Sequence, residues 1–101
     1  MVDYSITELD IRCQELIKLT DDIDKYTNLK NLNCSYNKIT SLDNLHPTLT
    51  ILYCGYNQLT SFDNLPPKLK ELFCGYNQLK YDFPTTLENI RNYNASRILS
   101  S

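Results

Sequence analysis

One eleven-residue phrase recurs at constant spacing and constrains the fold more than any other feature of the sequence. It reads LKNLNCSYNKI from Leu29, LTILYCGYNQL from Leu49 and LKELFCGYNQL from Leu69. The copies start 20 residues apart, and the second and third agree at eight of eleven positions. A fixed period in this range is typical of a stacked solenoid, in which each repeat needs its neighbours to bury its apolar side chains.

The phrase carries the periodicity of a short strand followed by a turn. Leu72 and Cys74 lie two residues apart and point to one face, whereas Glu71 and Phe73 point to the other. One such strand in each repeat, stacked in register, predicts a parallel sheet along one side of an α/β solenoid. Prolines in the second halves of two repeats, Pro47, Pro66 and Pro67, favour an extended return over a helix.

The repeat boundaries divide a single domain of 101 residues. Residues 1–28 form a longer N-terminal capping repeat, in which Ile23 and Tyr26 have the spacing of a helical turn. Residues 29–48, 49–68 and 69–86 form the regular repeats, and residues 87–101 form a partial repeat and a C-terminal cap. A fourth phrase begins at Leu87 and predicts another strand with Asn89, Arg91 and Tyr93 pointing outward.

Two residue types recur at positions that favour structural roles. Cysteines at one phase of the repeat predict a buried row of small apolar side chains, and Cys13 lies outside that phase. No CxxC spacing is present, so the sequence predicts no zinc site. Asparagines recur where the chain turns away from each strand, where their side chains can pair with backbone groups. These two structural rows are Cys34, Cys54 and Cys74, and Asn37, Asn57 and Asn77.

Composition argues against several classes of partner and location. Ten basic and twelve acidic residues give a net charge of −2 without a basic block, which argues against nucleic-acid and anionic-membrane binding. No stretch has the roughly 18 apolar residues of a membrane span. Acidic residues within the first 20 positions are not typical of a signal peptide. Together with buried free thiols, which fit a reducing compartment, these features predict a cytoplasmic protein.

The sequence offers little for catalysis. Its one histidine, His46, lies in a proline-containing return segment, where we expect a solvated surface residue. The repeated Asp43-Asn44 and Asp63-Asn64 pairs are too few for a Ca²⁺ site of six to eight oxygens, and turn chemistry explains them better. We therefore predict no enzymatic activity and no cofactor or metal.

The outward-facing aromatic residues are the main candidates for binding. The tyrosines just past each strand fit two interpretations: a stacked ladder in which each ring covers the next, or part of a binding surface. Gly55 and Gly75 would leave room beside the rings for a ligand backbone. The predicted partner-binding residues are Ile51, Tyr53, Phe73, Tyr36, Tyr56, Tyr76, Asn33, Glu71 and Arg91.

The pattern resembles the leucine-rich repeat family over residues 6 to about 98. The 20-residue period with NLPPKL is similar to the short repeats of secreted bacterial effectors, and the frequent Cys, Asn and Tyr are similar to repeats of giant DNA viruses of amoebae. The resemblance implies a right-handed coil of about four turns, with the sheet on the concave face and a mostly irregular convex side. It also implies a scaffold that binds a protein or peptide partner. The scaffold would act in the cytoplasm, either of its own cell or of a host cell. The residues that carry it are Leu29, Leu32, Cys34, Asn37, Ile39; Leu49, Leu52, Cys54, Asn57, Leu59; and Leu69, Leu72, Cys74, Asn77, Leu79.

Two other functions remain open from the sequence. The ends of so short a solenoid expose sheet edges that can pair between molecules. The chain would then be a self-associating structural protein or homodimer, through its ends or through the aromatic residues. Alternatively, it would compete with longer repeat proteins for their ligands.

Overall fold

Four short parallel strands form the framework of the protein, for which a computed structural model describes residues 2–100. The strands are β1 (Glu8–Asp10), β2 (Asn31–Asn33), β3 (Ile51–Tyr53) and β4 (Glu71–Phe73), in the sheet order β1-β2-β3-β4. Each strand pairs in parallel with the next, and equivalent residues of successive repeats are partners. The parallel sheet predicted from the repeated phrase is therefore confirmed, and it is compatible with a solenoid.

The core consists of rows of equivalent side chains beneath the sheet. Leu32 and Leu52 at the strand centres are fully buried, as are Ile39 and Leu59 after the turns. Each fully buried aliphatic side chain contributes about 1.5–3 kcal/mol relative to an exposed one. Because each repeat covers the apolar layer of its neighbour, the stacking of repeats supplies most of the stability.

The segments that return from one strand to the next are mostly irregular. The first contains a single turn of 3-10 helix, Ile23–Lys25, and both Ile23 and Tyr26 are buried. Near this turn the Tyr4 ring packs edge-on against Tyr26 at 5.0 Å, and its hydroxyl donates a hydrogen bond to Asp22. Residues 40–48 and 60–68 contain no helix or strand, consistent with prolines that fix φ and lack an amide donor.

The C-terminal segment departs from the sequence prediction. Residues 87–100 form helix α1 (Leu87–Ser100), so the outward strand predicted at Asn89, Arg91 and Tyr93 is wrong. The Thr86 hydroxyl accepts a hydrogen bond from the amide of Asn89 at 3.2 Å, which caps the start of the helix. Ile90 is fully buried beneath the last repeat. The helix thus contributes a buried side chain to the core without adding a strand to the sheet.

Candidate protein-binding surface

The exposed face of the sheet presents two rows of side chains that cross the strands. The register places Glu8, Asn31, Ile51 and Glu71 side by side in one row, and Asp10, Asn33, Tyr53 and Phe73 in the other. Both rows are polar on β1 and β2, whereas β3 and β4 contribute Ile51, Tyr53 and Phe73 beside the charged Glu71. The sequence therefore confines the apolar part of this face to one half of the sheet.

Two aromatic rings stack on that half. The rings of Tyr53 and Phe73 lie 4.8 Å apart between centroids, with an interplanar angle of 7°. The Phe73 side chain is 49% exposed, although it is a large apolar group. An exposed aromatic ring held by a neighbour has already lost much of its rotamer freedom, which lowers the entropic cost of binding a partner.

A second stack of three rings follows the ends of strands β2, β3 and β4. Tyr36 and Tyr56 lie 4.4 Å apart, as do Tyr56 and Tyr76, and the interplanar angles are 9° and 11°. This spacing is close to the 4.7–4.9 Å separation of neighbouring strands, so the stacking of the strands determines the distance between successive rings. The rings are 53%, 43% and 76% exposed. The three tyrosines therefore stack on one another and face solvent at the same time.

The tyrosines of this stack have an unusual backbone conformation. Tyr36, Tyr56 and Tyr76 have φ values of 58°, 55° and 58°, in the left-handed region that disfavours non-glycine residues. The amide of Tyr36 donates to the Gly55 carbonyl at 3.1 Å, and that of Tyr56 donates to the Gly75 carbonyl at 2.9 Å. These bonds between repeats hold the strained turns of Tyr36 and Tyr56. The central ring is also partly desolvated by its neighbours, which raises the pKa of Tyr56.

The two glycines before these tyrosines differ in their surroundings. A β-carbon on Gly55 would lie 3.2 Å from the carbonyl oxygen of Gly75, whereas one on Gly75 would have no atom within 4 Å. Neither glycine has a positive φ. Gly55 is therefore explained by the close approach of the next repeat, and open space for a ligand lies beside Gly75 alone.

The polar candidates on the sheet face have distinct environments. The Asn33 side-chain oxygen accepts a hydrogen bond from the Ser35 amide at 3.1 Å, so it serves its own turn. Asp10 makes the equivalent bond with Arg12, whose guanidinium also forms a salt bridge with it at 2.9 Å. Glu71 is exposed and forms no salt bridge with any described residue. Its carboxylate is the free charge beside the aromatic rings.

Arg91 lies apart from the other candidates. It belongs to α1, and its guanidinium donates to the carbonyl oxygens of Pro66 at 2.9 Å and Pro67 at 3.3 Å. These carbonyls lie in the last return segment, away from β4. The structure therefore places Arg91 in the packing of the helix and not in a row of the sheet.

The two structural rows lie beneath the exposed face. Cys34 and Cys54 are fully buried, and burial raises the pKa of both thiols, that of Cys34 to about 12. The Asn57 side chain donates to the carbonyls of Cys34 and Cys54 and accepts from the amide of Ile39. Asn37 and Asn77 make equivalent bonds around their own turns and those of the preceding repeat. Cys74, the last of its row, is also buried and bonds the Thr85 carbonyl at 3.7 Å.

Cys13 holds a position that the sequence pattern did not reveal. It has a φ of 57° and its amide donates to the Ser35 carbonyl, as Tyr36 and Tyr56 do in later repeats. Cys13 therefore occupies the tyrosine position of the first repeat, and it is exposed. The alignment of Ile6 with Leu29 gives this equivalence, because Ile6 lies seven positions before Cys13 and Leu29 lies seven positions before Tyr36.

The described residues offer no evident site for a metal ion. Residues 2–100 contain no group of three or more His, Cys, Asp or Glu side chains placed to hold a metal ion. His46 was expected to be solvated, but it is half-buried and its Nδ1 lies 3.0 Å from the Thr48 hydroxyl. In the same part of the chain, no helix has both the length and the apolar character needed to cross a membrane.

Residues 27–67 match a family model described as leucine rich repeats in two copies. The match includes β2 and β3 with the return segment between them, and it supports a leucine-rich repeat protein. Such repeats are generally protein–protein interaction modules. Searches of curated proteins and of solved structures give no significant match.

Proposed function

We propose that the protein is a non-enzymatic interaction module that binds a protein or peptide on the exposed face of its sheet. The observation that supports this most directly is the clustering of five stacked, solvent-facing rings on one side of the molecule. We call this surface the aromatic strip: Tyr36, Tyr53, Tyr56, Phe73 and Tyr76. Exposed aromatic side chains are typical anchors of protein interfaces, and truncation of such an anchor commonly costs more than 1 kcal/mol of binding energy.

The backbone of the tyrosine row gives independent support. A non-glycine residue at positive φ costs roughly 1–2 kcal/mol relative to glycine or asparagine. Three tyrosines accept this cost at equivalent positions and keep their rings exposed. Stacking between rings returns about 0.5–1.5 kcal/mol for each pair. Because the two stacked pairs return less free energy than the three strained residues cost, a contact function for the rings explains the choice of tyrosine better than stability alone.

The finer architecture belongs to the same proposal. The repeats would form a right-handed coil of about four turns, because crossovers between parallel strands of one sheet are almost always right-handed. The sheet would then line the concave side and offer the aromatic strip to a rounded or extended partner. Buried free thiols fit a reducing compartment, so we place this function in the cytoplasm.

Affinity capture from a cell lysate tests the proposal with matched variants. The double variant Tyr53→Ala/Phe73→Ala removes one stack from the strip. The control variant Val2→Ala/Ile17→Ala removes two other exposed apolar side chains. Circular dichroism verifies that each variant is folded. We expect wild type and control to retain a partner that the strip variant loses. Equal capture by all three proteins, or by none, would contradict the proposal.

Self-association is the second candidate function, and one observation favours it. The strand β4 lies at the end of the sheet, and the apolar side chains beneath it, Leu72 and Leu79, are only half-buried. Light scattering over a wide range of protein concentration distinguishes the two functions. A monomer throughout that range argues against self-association, whereas a concentration-dependent dimer supports it.

A further inference from the structure

The outer edge of β4 carries backbone groups that no described residue pairs with. In the preceding repeat, the amide of Cys54 donates to the Phe73 carbonyl at 2.8 Å and that of Tyr56 donates to the Gly75 carbonyl at 2.9 Å. The equivalent amides of Cys74 and Tyr76 have no acceptor among residues 2–100. An unpaired strand edge of this kind is a template for another strand.

The apolar layer beneath this edge is also incomplete. Leu52 and Leu59 are fully buried in the third repeat, whereas their equivalents Leu72 and Leu79 are half-buried. Helix α1 covers the other half of the layer, where Asn94 donates to the Phe62 carbonyl at 2.7 Å. The cap closes the side of the return segment, and the Thr85 carbonyl contacts the buried Cys74, so the open part of the layer lies at Leu72 and Leu79.

Both aromatic stacks end at the same edge. Among the described residues, Phe73 stacks only on Tyr53, and Tyr76 stacks only on Tyr56. The outer faces of the two rings contribute to their exposures of 49% and 76%. The edge thus presents unpaired amides, two half-buried leucines and two open ring faces. This is the arrangement that β3 presents to β4, where it is occupied by a parallel strand.

We propose that an extended segment of a partner protein adds to the outer edge of β4 as a fifth, parallel strand. If the added strand pairs with β4 in the register in which β4 pairs with β3, the residue types of the segment follow position by position. It would carry a basic residue beside the free carboxylate of Glu71, an aliphatic residue beside Leu72 and an aromatic residue beside Phe73. A second aromatic residue, three positions later, would stack on Tyr76. This inference rests on the proposed function, because the partner is a protein and two rings of the aromatic strip take part.

A second copy of this chain fits the edge less well than such a segment. If β1 of another molecule occupied it in parallel, Glu8 would lie beside Glu71, and like charges directly opposite each other are destabilising. If two β4 strands paired about a twofold axis centred on Leu72, Glu71 would lie opposite Phe73. Neither arrangement gives Phe73 an aromatic partner. A segment with a basic and an aromatic residue would pair with the Glu71 carboxylate and stack on the Phe73 ring.

A synthetic peptide tests the proposal directly. The peptide LKKLFAGYNQL is the third phrase with lysine in place of Glu71 and alanine in place of Cys74. In the proposed register, the amides of its third and fifth residues donate to β4, as the amide of Glu71 donates to the Thr50 carbonyl. The amide of the fourth residue points away. N-methylation at the third or fifth position should weaken binding roughly five- to tenfold, whereas N-methylation at the fourth should have little effect.

Two protein variants provide a matched comparison. Tyr76 lies at the edge of β4 and is 76% exposed, whereas Ile17 is 68% exposed in the first repeat and lies outside the aromatic strip. We expect Tyr76→Ala to weaken peptide binding and Ile17→Ala to leave it unchanged in a calorimetric titration. We also expect the peptide to slow hydrogen exchange of the Leu72, Cys74 and Tyr76 amides in NMR spectra.

Several results would overturn the proposal. These are no detectable binding at millimolar peptide, equal weakening by all three N-methyl groups, or binding without slowed exchange at those amides. Slowed exchange in a concentrated sample without peptide would assign the edge to a second copy instead. If lysate capture depends on Tyr53 and Phe73 but the peptide does not bind, this inference fails while the proposed function stands.

Discussion

Replacing Asn57 by alanine should destabilise the protein more than the same replacement at Asn77, the last asparagine of the row. Asn57 is 6% exposed and belongs to the second repeated phrase. Its side-chain oxygen is the acceptor for the Ile39 amide at 3.0 Å. Its side-chain nitrogen donates to the carbonyls of Cys34 and Cys54 at 3.0 and 3.1 Å. One amide group therefore joins two repeats.

The magnitude follows from what each backbone group loses. The Ile39 amide has no other acceptor among the described residues, so its burial without a partner costs about 1–3 kcal/mol. The Cys34 and Cys54 carbonyls keep bonds from Asn37 and Asn77, so each loses only one net hydrogen bond, worth about 0.5–1.5 kcal/mol. These contributions give a loss of about 2–6 kcal/mol for Asn57→Ala.

Asn77→Ala is the matched control because Asn77 makes the same kinds of bonds in the last repeat. Its side chain is half-buried, and no further repeat covers it, so water can replace part of what is lost. We expect a cost of about 1–2 kcal/mol for this variant. Urea unfolding, followed by circular dichroism and tyrosine fluorescence, measures both free energies, provided that the slope against urea is unchanged. If Asn57→Ala cost less than about 1 kcal/mol, or no more than Asn77→Ala, the assigned role of the row would be wrong.

Two further predictions concern the glycines and the cysteines. Gly55→Ala should cost about 1–3 kcal/mol because the added β-carbon meets the Gly75 carbonyl oxygen at 3.2 Å. Gly75→Ala should be neutral or stabilise the fold by up to about 1 kcal/mol, since its β-carbon meets nothing; urea midpoints in the opposite order would contradict this. A thiol reagent should label only Cys13 in the folded protein, because burial raises the pKa of Cys34 to about 12 and the thiolate is the reactive form. Native labelling of all four cysteines would refute the buried row. Because the folded protein holds the Cys34 thiol proton more tightly than the unfolded chain does, the free energy of unfolding should depend on pH. The stabilisation should be fully present below the unfolded thiol pKa of roughly 8.5 and fall as the pH rises above it.

The sheet and its register were predictable because the repeat period states which residues are equivalent. Once Leu32, Leu52 and Leu72 are aligned by their spacing, a parallel pairing of the strands follows, and the structure shows that pairing. The outward aromatic residues follow from strand alternation. The left-handed conformation of Tyr56 did not follow, because glycine would be the expected residue at such a position and Gly55 directly precedes it. The same φ recurs at Tyr76, so the conformation belongs to the repeated turn, in which the asparagine side chain donates to the carbonyls two and three residues before it.

The C-terminal helix was missed for a reason that also explains the open edge of β4. Leu87 and Ile90 are three residues apart, a spacing that fits both the start of the repeated phrase and a helix. Continuing the phrase would place Asn92 in the buried cysteine row and Ala95 at the asparagine position. A strand there would bury one unpaired amide side chain and leave the turn of the preceding repeat without its acceptor. A helix satisfies its own backbone, exposes Asn92 and still buries Ile90. The chain therefore leaves the sheet after β4, and the edge that a fifth repeat would have covered remains available to a partner.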